Sequence, residues 1–309
     1  RAERILGDFL TDFTAEEIRE CVEKAYGGEK FSGGHPAPLV ELPNCPAPVY
    51  LLELWHGPTC AFKDMALQIL PHLLTKSLKK IHSDKTAVIL VATSGDTGKA
   101  ALEGFRDVEG TKILVFYPQN GVSAMQKTQM TTQEGGNVAV CAIEGNFDDA
   151  QTGVKRIFTD PIMKEKLEEN GMMFSSANSI NWGRLLPQIV YYFSAYSDLL
   201  KEGKIQLGQE INIVVPTGNF GNILAAYYAK KMGLPVHKLI CASNANNVLT
   251  EFLRTGVYDR NRQFFTTISP SMDILVSSNL ERLLYDLTDR DSARVAGWMK
   301  QLSEKRRYK

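Results

Sequence analysis

The chain has 309 residues, 44% of them hydrophobic, and its 35 basic side chains balance 35 acidic ones. This length predicts two domains, and a neutral chain without a basic run argues against a nucleic acid or membrane partner. No apolar stretch approaches the roughly 20 residues that cross a bilayer. The five cysteines and five histidines are scattered without CxxC or HExxH spacing, which predicts no metal site, no disulfide framework and a cytoplasmic location.

The first predicted elements lie before residue 86. Thr14 and Glu17 form the Thr-x-x-Glu pattern of a capping box, which predicts a helix that begins after Thr14 and ends at the paired glycines 27–28. A short strand is predicted over residues 49–53. Leucines at helical spacing predict a helix over residues 62–80.

From Thr86 onward, apolar runs alternate with helical segments. The predicted strands are 86–93, 111–117, 137–144, 211–216 and 238–243. The first of them is continuously apolar, which is typical of a strand buried on both faces of a parallel sheet. This rhythm predicts an α/β fold with two domains of mostly parallel sheets flanked by helices. We expect an N-terminal segment (1–85) that packs on the larger domain, a smaller α/β domain (86–160) and a larger α/β domain (161–309).

Lys63 lies among small and apolar neighbours at a predicted helix start, in PTCAFKDMAL. Burial and the positive end of the helix dipole both lower the pKa of a lysine there. A lysine with a lowered pKa is nucleophilic near neutral pH, as an amine that forms a Schiff base must be. The alternative is a surface lysine whose stem covers apolar neighbours.

Two glycine loops each join a predicted strand to a predicted helix. In the first, ATSGDTG, we expect Ser94, Gly95 and Thr97 to suit a carboxylate or phosphate, whereas Asp96 suits a hydroxyl donor. The alternative is a tight turn in which Ser and Asp act as caps.

The second loop, PTGNFGN at residues 216–222, has two glycines that let the backbone wrap closely around a phosphate at a helix start. It has neither the GK[ST] of a Walker loop nor the GxGxxG of a dinucleotide site. The alternative is an ordinary turn, but both loops lie where open α/β sheets bind ligands.

A third polar patch, residues 175–184, leads into a predicted helix. Asn181 and Arg184 are candidates for a ligand contact, and Arg184 suits a phosphate. Capping and solvation of the helix start is the alternative. Gln126 and Lys127 fit either an anion contact or a solvated helix face, and the sequence favours the solvated face.

Four motifs appear together in the order and spacing of the threonine synthases. They are HGPTCAFKD (56–64), ATSGDTG (92–98), SANSIN (176–181) and PTGNFGN (216–222). The chain therefore resembles the threonine synthases, which belong to the tryptophan-synthase-like group of pyridoxal 5'-phosphate (PLP) enzymes, fold type II. The resemblance extends from about Ile5 to Leu284 and includes SPSMDI at 269–274.

The resemblance implies PLP in a cleft between the two domains, bound as a Schiff base on Lys63. Phe62 is then expected near the ring and Asp96 at the cofactor hydroxyl. The cofactor phosphate is expected at Gly218, Asn219, Phe220, Gly221 and Asn222. Ser94, Gly95 and Thr97 are expected to take the substrate carboxylate, and Lys127, Asn181 and Arg184 the phosphate that leaves.

The reaction that the resemblance implies is that of a carbon–oxygen lyase, which converts O-phospho-L-homoserine and water to L-threonine and phosphate. One alternative keeps the fold and cofactor but is a catabolic phospho-lyase that yields a 2-oxo acid, ammonia and phosphate. Another is a non-catalytic binding protein. The expected partner is a small phosphorylated amino acid, and the expected assembly is a monomer or homodimer. Threonine synthases usually extend beyond both ends of this chain, so we expect missing parts, among them a Ser or Thr hydroxyl for the pyridine nitrogen.

Overall fold

The computed structural model describes residues 1–93, 95–179 and 181–309, with the backbone alone at residue 148. The chain divides into two compact units, residues 1–198 and 199–309. Each unit contains parallel strands joined through helices, which confirms the predicted α/β class. The three-part division at residues 85 and 160 stays a prediction.

Helices and strands alternate over most of the chain. The helices are α1 (Ala2–Gly7), α2 (Ala15–Tyr26), α3 (Asp64–Leu67), α4 (Leu70–Lys80), α5 (Asp96–Phe105), α6 (Ala124–Thr131), α7 (Phe147–Thr159), α8 (Pro161–Glu169), α9 (Trp182–Lys201), α10 (Gly221–Lys231), α11 (Val248–Thr255), α12 (Leu280–Leu287) and α13 (Ser292–Lys305). The strands are β1 (Leu39–Leu42), β2 (Val49–Leu52), β3 (Thr86–Ala92), β4 (Thr111–Pro118), β5 (Val138–Ile143), β6 (Met172–Ser175), β7 (Ile211–Pro216), β8 (Val236–Ala242), β9 (Tyr258–Asp259) and β10 (Arg307–Tyr308).

The main sheet of the first unit has four parallel strands in the order β5-β4-β3-β6. One face of its central strand β3 is fully buried, because Ala87, Ile89 and Val91 are inaccessible to solvent. On the other face Leu90 is buried and Val88 is half-buried, so the continuous apolar run corresponds to a strand that is covered on both faces but more completely on one. Strand β6 was not predicted. Its four residues, MMFS, are too few for a periodic pattern and contain no β-branched side chain.

The predicted helix over residues 62–80 is two helices, α3 and α4, with a break at Gln68 and Ile69. Pro71 lies in the first turn of α4. Because proline has no backbone N–H, it cannot donate to the carbonyl of Leu67 and the first helix cannot continue through it. The prediction of one helix was therefore wrong, although both pieces are helical. The predicted capping box is present, because the Thr14 hydroxyl accepts from the Glu17 amide and the Glu17 carboxylate accepts from the Thr14 amide.

In the second unit, β7 and β8 pair in parallel, and the short loop after Pro216 leads from β7 into α10 at Gly221. A short antiparallel pair, β9 and β10, aligns Tyr258 with Tyr308, whose rings stack with centroids 5.3 Å apart. In the part of the chain that the structure describes, no helix combines the length and apolar character needed to cross a bilayer.

Candidate active site

Asp64 fixes the loop that leads into α3. Its side chain is fully buried, and its carboxylate accepts hydrogen bonds from the Thr59 amide at 2.8 Å and the Thr59 hydroxyl at 2.6 Å. A Cβ placed on Gly57 would lie 2.5 Å from the same carboxylate, so only glycine allows this approach. Burial raises the pKa of Asp64, and the bonds from Thr59 oppose that rise. The loop places the preceding residue, Lys63, at the N-cap of α3.

Lys63 is buried and forms an ion pair with Asp96. Its side chain has 9% of its surface exposed, and Nζ donates to Oδ2 of Asp96 at 2.6 Å. Nζ also lies 4.5 Å from the centre of the Phe62 ring. Asp96 is the first residue of α5, so the N-terminal ends of α3 and α5 meet at this pair. The alternative of a surface lysine is wrong.

Burial lowers the pKa of Lys63, and this effect exceeds the opposing effect of Asp96, whose charge and hydrogen bond raise it. The charge of Arg184 lowers the pKa of Lys63 further. The direction agrees with the sequence analysis. An amine in this environment loses its proton more readily than an exposed lysine does, which makes it a better nucleophile near neutral pH.

Thr93 organises the first glycine loop. Its hydroxyl oxygen accepts from the amides of Gly95 and Gly98, both at 3.0 Å, and the hydroxyl lies 3.1 Å from the Gly95 carbonyl oxygen, to which it donates. Gly95 is buried, and a Cβ on it would lie 2.5 Å from the side-chain amide of Gln126. Thr97 is half-buried in the first turn of α5. Ser94, a predicted contact of the substrate carboxylate, lies outside the described residues.

Arg184 is a buried cation in the same unit. Only 4% of the surface of this residue is exposed, and its Nη1 donates to the Ala177 carbonyl at 2.7 Å. Among the described residues, Nε of Arg184 finds no hydrogen-bond partner. Burial lowers the pKa of Arg184 to about 10, and the charge of Asp96 opposes that effect. Lys63, Asp96 and Arg184 therefore form one electrostatic cluster with two cations and one anion.

Asn181 precedes this arginine and bonds to backbone groups at both ends of its side chain. Nδ2 donates to the Ser176 carbonyl at 2.7 Å, and Oδ1 accepts from the Gly183 amide at 2.9 Å. These bonds hold the start of α9, as a cap does. Lys127 is half-buried on α6, and among the described contacts none joins its side chain to Lys63, Asp96 or Arg184. The structure thus brings Arg184 to the cluster and gives Asn181 a local backbone role, while their predicted phosphate contacts stay predictions.

The second glycine loop, residues 216–222, joins β7 to α10 in the second unit. Gly218 is buried, and a Cβ on it would lie 3.0 Å from Cγ1 of Ile274. Phe220 has a φ of 64° in the left-handed region, directly before the first helical residue, Gly221. A non-glycine residue in that region costs about 1–3 kcal/mol and persists where surrounding contacts hold it.

Two residues that the sequence analysis did not single out supply such contacts. The Ser277 hydroxyl donates to the Gly218 carbonyl at 2.5 Å, and Asn279 donates to the Asn219 carbonyl at 3.1 Å from both its backbone amide and its side-chain amide. Their only signal in the sequence is the short polar run SSN before the helix LERLL, which also fits an ordinary cap. Asn219 is half-buried in the loop, and Asn222 is half-buried in the first turn of α10.

The fold and these contacts define a class of protein. The chain belongs to the pyridoxal-phosphate dependent enzyme family, whose model matches residues 31–308. PLP, the cofactor expected from the sequence, is the cofactor of this family. Across the described residues, no group of three His, Cys, Asp or Glu side chains is arranged to hold a metal ion.

Within this family the chain is similar to threonine synthases. It is 48% identical over 287 residues to the Homo sapiens protein threonine synthase-like 1, covering 91% of this chain and 38% of that protein. It is 44% identical over 297 residues to the threonine synthase of Pseudomonas aeruginosa, covering 95% of this chain and 59% of that protein.

Solved structures agree. A PLP-bound threonine synthase from Brucella melitensis superposes with a TM-score of 0.86 at 41% identity, covering 99% of this chain and 63% of that one. The threonine synthase from yeast superposes with a TM-score of 0.87 at 36% identity, covering 100% of this chain and 62% of that one. The resemblance drawn from four motifs and the expected fold type II are thereby confirmed. The chain spans less than two thirds of the length of each of these relatives.

The residues present fit PLP. An amine-reactive, phosphorylated cofactor requires a buried amine with a lowered pKa, and Lys63 meets that requirement. It also requires a backbone loop able to approach a phosphate, and Gly218 lies where any Cβ would crowd its neighbours. Arg184 retains an unpartnered buried donor that suits an anionic ligand.

Proposed function

We propose that this chain carries PLP on Lys63 and converts O-phospho-L-homoserine and water to L-threonine and phosphate. One observation carries the proposal: a buried amine, Lys63, is bonded to Asp96 and lies within range of the charge of a buried guanidinium, Arg184, whose Nε has no partner among the described residues. The substrate brings a phosphate that suits the guanidinium and a Cα proton that suits the amine. The similarity to threonine synthases supports the same reaction.

Each residue then has a distinct task. PLP, when bound, supplies an electron sink that stabilises negative charge at the substrate Cα. The neutral Nζ of Lys63 accepts the proton from Cα, gives that proton up, and, neutral again, accepts one from Cβ. Phosphate leaves from Cγ toward Arg184, whose guanidinium offers charge-assisted hydrogen bonds. Water adds its hydroxyl at Cβ, and protons delivered to Cγ and Cα complete L-threonine.

The remaining predicted residues bind and orient. Asp96 accepts a hydrogen bond from the hydroxyl of the cofactor ring, and Phe62 lies against that ring. The first glycine loop, with Ser94, Gly95 and Thr97, takes the substrate carboxylate, while Lys127 and Asn181 assist Arg184 with the phosphate. The loop from Gly218 to Asn222 takes the cofactor phosphate at the start of α10, where helix amides favour an anion.

The test is an assay of products. Protein incubated with PLP and O-phospho-L-homoserine should release phosphate and L-threonine in equal amounts, and Lys63→Ala should release neither. Borohydride reduction followed by peptide mass spectrometry should place the cofactor on Lys63 in the parent protein. Phosphate release that persists in Lys63→Ala, or cofactor found on another lysine, would overturn the proposal.

The second candidate is a phospho-lyase that consumes the same substrate and water but yields a 2-oxo acid, ammonia and phosphate. The similarity to threonine synthase-like 1 proteins is the reason to test it, because that name states a likeness to threonine synthases and does not state that these proteins make threonine. The same incubation separates the two. Threonine supports the first reaction, whereas 2-oxobutyrate and ammonia in step with phosphate support the second.

A further inference from the structure

The turn at residues 277–279 holds the second glycine loop by its carbonyl oxygens. The Ser277 hydroxyl donates to the carbonyl of Gly218. Asn279 donates to the carbonyl of Asn219 from both its side-chain amide and its backbone amide. Both residues are buried, at 5% and 0% exposure. Three hydrogen bonds from one turn thus converge on two consecutive peptide groups.

These bonds determine where the loop amides point. In a trans peptide the C=O and the N–H of the same plane point in opposite directions. With the carbonyls of Gly218 and Asn219 turned toward residues 277–279, the N–H groups of Asn219 and Phe220 are turned away from them. None of the backbone hydrogen bonds among the described residues uses either of these amides. The turn therefore prepares two neighbouring donors for an anion at the start of α10.

The turn is itself held on its far side. The Ser277 amide donates to the Tyr258 hydroxyl at 2.9 Å, and that hydroxyl donates to the Leu275 carbonyl at 3.0 Å. Arg282 donates to Oδ1 of Asn279 at 2.5 Å, which leaves Nδ2 facing the loop. Because the turn has these fixed contacts, it can impose a conformation on the loop.

We propose that Ser277 and Asn279 are positioning residues for the phosphate of the cofactor: they act by aiming the amides of Asn219 and Phe220 and do not bind the phosphate directly. This inference rests on the proposed binding of PLP. It explains how the loop keeps the left-handed backbone of Phe220, whose strain requires outside contacts.

The test compares PLP with pyridoxal, which has the same aldehyde and ring but no phosphate. Equilibrium dissociation constants for both compounds are measured on the parent, Ser277→Ala and Asn279→Ala. We expect each variant to weaken PLP about tenfold, which corresponds to about 1.4 kcal/mol. Pyridoxal should bind each variant within about twofold of the parent, since it makes no contact with the loop. Retained pyridoxal binding also shows that the variant is folded.

Asn137→Ala is the matched control. Asn137 donates its side-chain amide to the carbonyls of Phe105 and Thr111 in the first unit, so its loss removes bonds of the same kind away from the loop. It should leave the ratio of PLP to pyridoxal affinity unchanged. The inference is wrong if PLP and pyridoxal weaken together in Ser277→Ala and Asn279→Ala, or if neither weakens. A parent that binds neither compound would instead refute the proposed function.

Discussion

At Lys63 two effects of opposite sign act on one amine. Burial lowers the pKa of Lys63, while the charge and the hydrogen bond of Asp96 raise it. Asp96→Asn keeps the side-chain size but removes the charge. We therefore expect the pKa of Lys63 to fall further, the neutral fraction of the amine at pH 7 to rise, and the capture of PLP to become faster. The pH profile of the capture rate, followed by absorbance, should move to lower pH.

The control for this change is Asp160→Asn. Asp160 is a carboxylate distant in sequence from the cluster, and it caps α8 by accepting from the amides of Ile162 and Met163. Its loss should leave the pH profile of PLP capture where it was, and α8 should keep its cap because the asparagine oxygen can accept the same two hydrogen bonds. If the profile of Asp96→Asn is unchanged or moves to higher pH, the ion pair does not govern the reactivity of Lys63.

Some residues of the candidate site are visible in the sequence and others are not. Lys63 and Asp96 carry charges in apolar or glycine-rich surroundings, and Arg184 is the single charged residue of the polar segment 175–184, so these contrasts mark them within the sequence itself. Asp64, Thr93, Ser277 and Asn279 act through bonds to the backbone. Such bonds depend on which segments the fold brings together, so in the sequence these residues look like ordinary caps.

Helices α3 and α5 together determine the geometry of the Lys63–Asp96 pair, because Lys63 caps α3 and Asp96 begins α5. They pack closely at Gly104, where a Cβ would lie 2.1 Å from the carbonyl oxygen of Leu67. Backbone cannot yield as a flexible side chain can. We expect Gly104→Ala to lower the free energy of unfolding by about 1–3 kcal/mol, the usual cost of overpacking, and to slow PLP capture.

Gly297→Ala tests whether this cost comes from packing. Gly297 lies in α13, is exposed, and has no atom within 4 Å of a built Cβ. There the change should raise the free energy of unfolding by about 0.5–1 kcal/mol, because alanine favours the helix over glycine. Chemical denaturation of both variants measures whether each change raises or lowers the free energy of unfolding. Stabilisation in both would show that α3 can move away from α5 at little cost.

Elements with a strong periodic pattern were predicted well, and short or interrupted ones were not. The capping box at Thr14 and the apolar run of β3 are local signals, so the sequence alone specifies them. The break before Pro71 depends on one missing N–H within a continuous leucine pattern, which leaves the periodicity intact. Strand β6 exists because it pairs with β3, a contact that no pattern within its four residues predicts.

At the scale of the whole molecule, the sequence predicts most strands of the parallel sheets, but not the order of these strands. The order β5-β4-β3-β6 places β6 beside β3 although two strands and four helices separate them along the chain. Pairing over that distance is determined by which apolar faces are buried together. The family resemblance, by contrast, is a property of the whole chain, and four motifs in order were sufficient to recognise it.

Cofactor binding adds to the stability of the folded chain by an amount that depends on the ratio of free ligand to Kd, about 2.7 kcal/mol at a hundredfold excess over Kd. Pyridoxine 5'-phosphate shares the ring and phosphate of PLP but has an alcohol in place of the aldehyde, so it cannot bond to Lys63. We expect PLP to raise the Tm of the parent more than equal pyridoxine 5'-phosphate does, as measured by calorimetry. In Lys63→Ala the two compounds should raise the Tm by equal amounts, smaller than the increase that PLP gives in the parent. Equal increases in the parent would mean that the aldehyde is not engaged, whereas an excess for PLP that persists in Lys63→Ala would assign the bond to another amine.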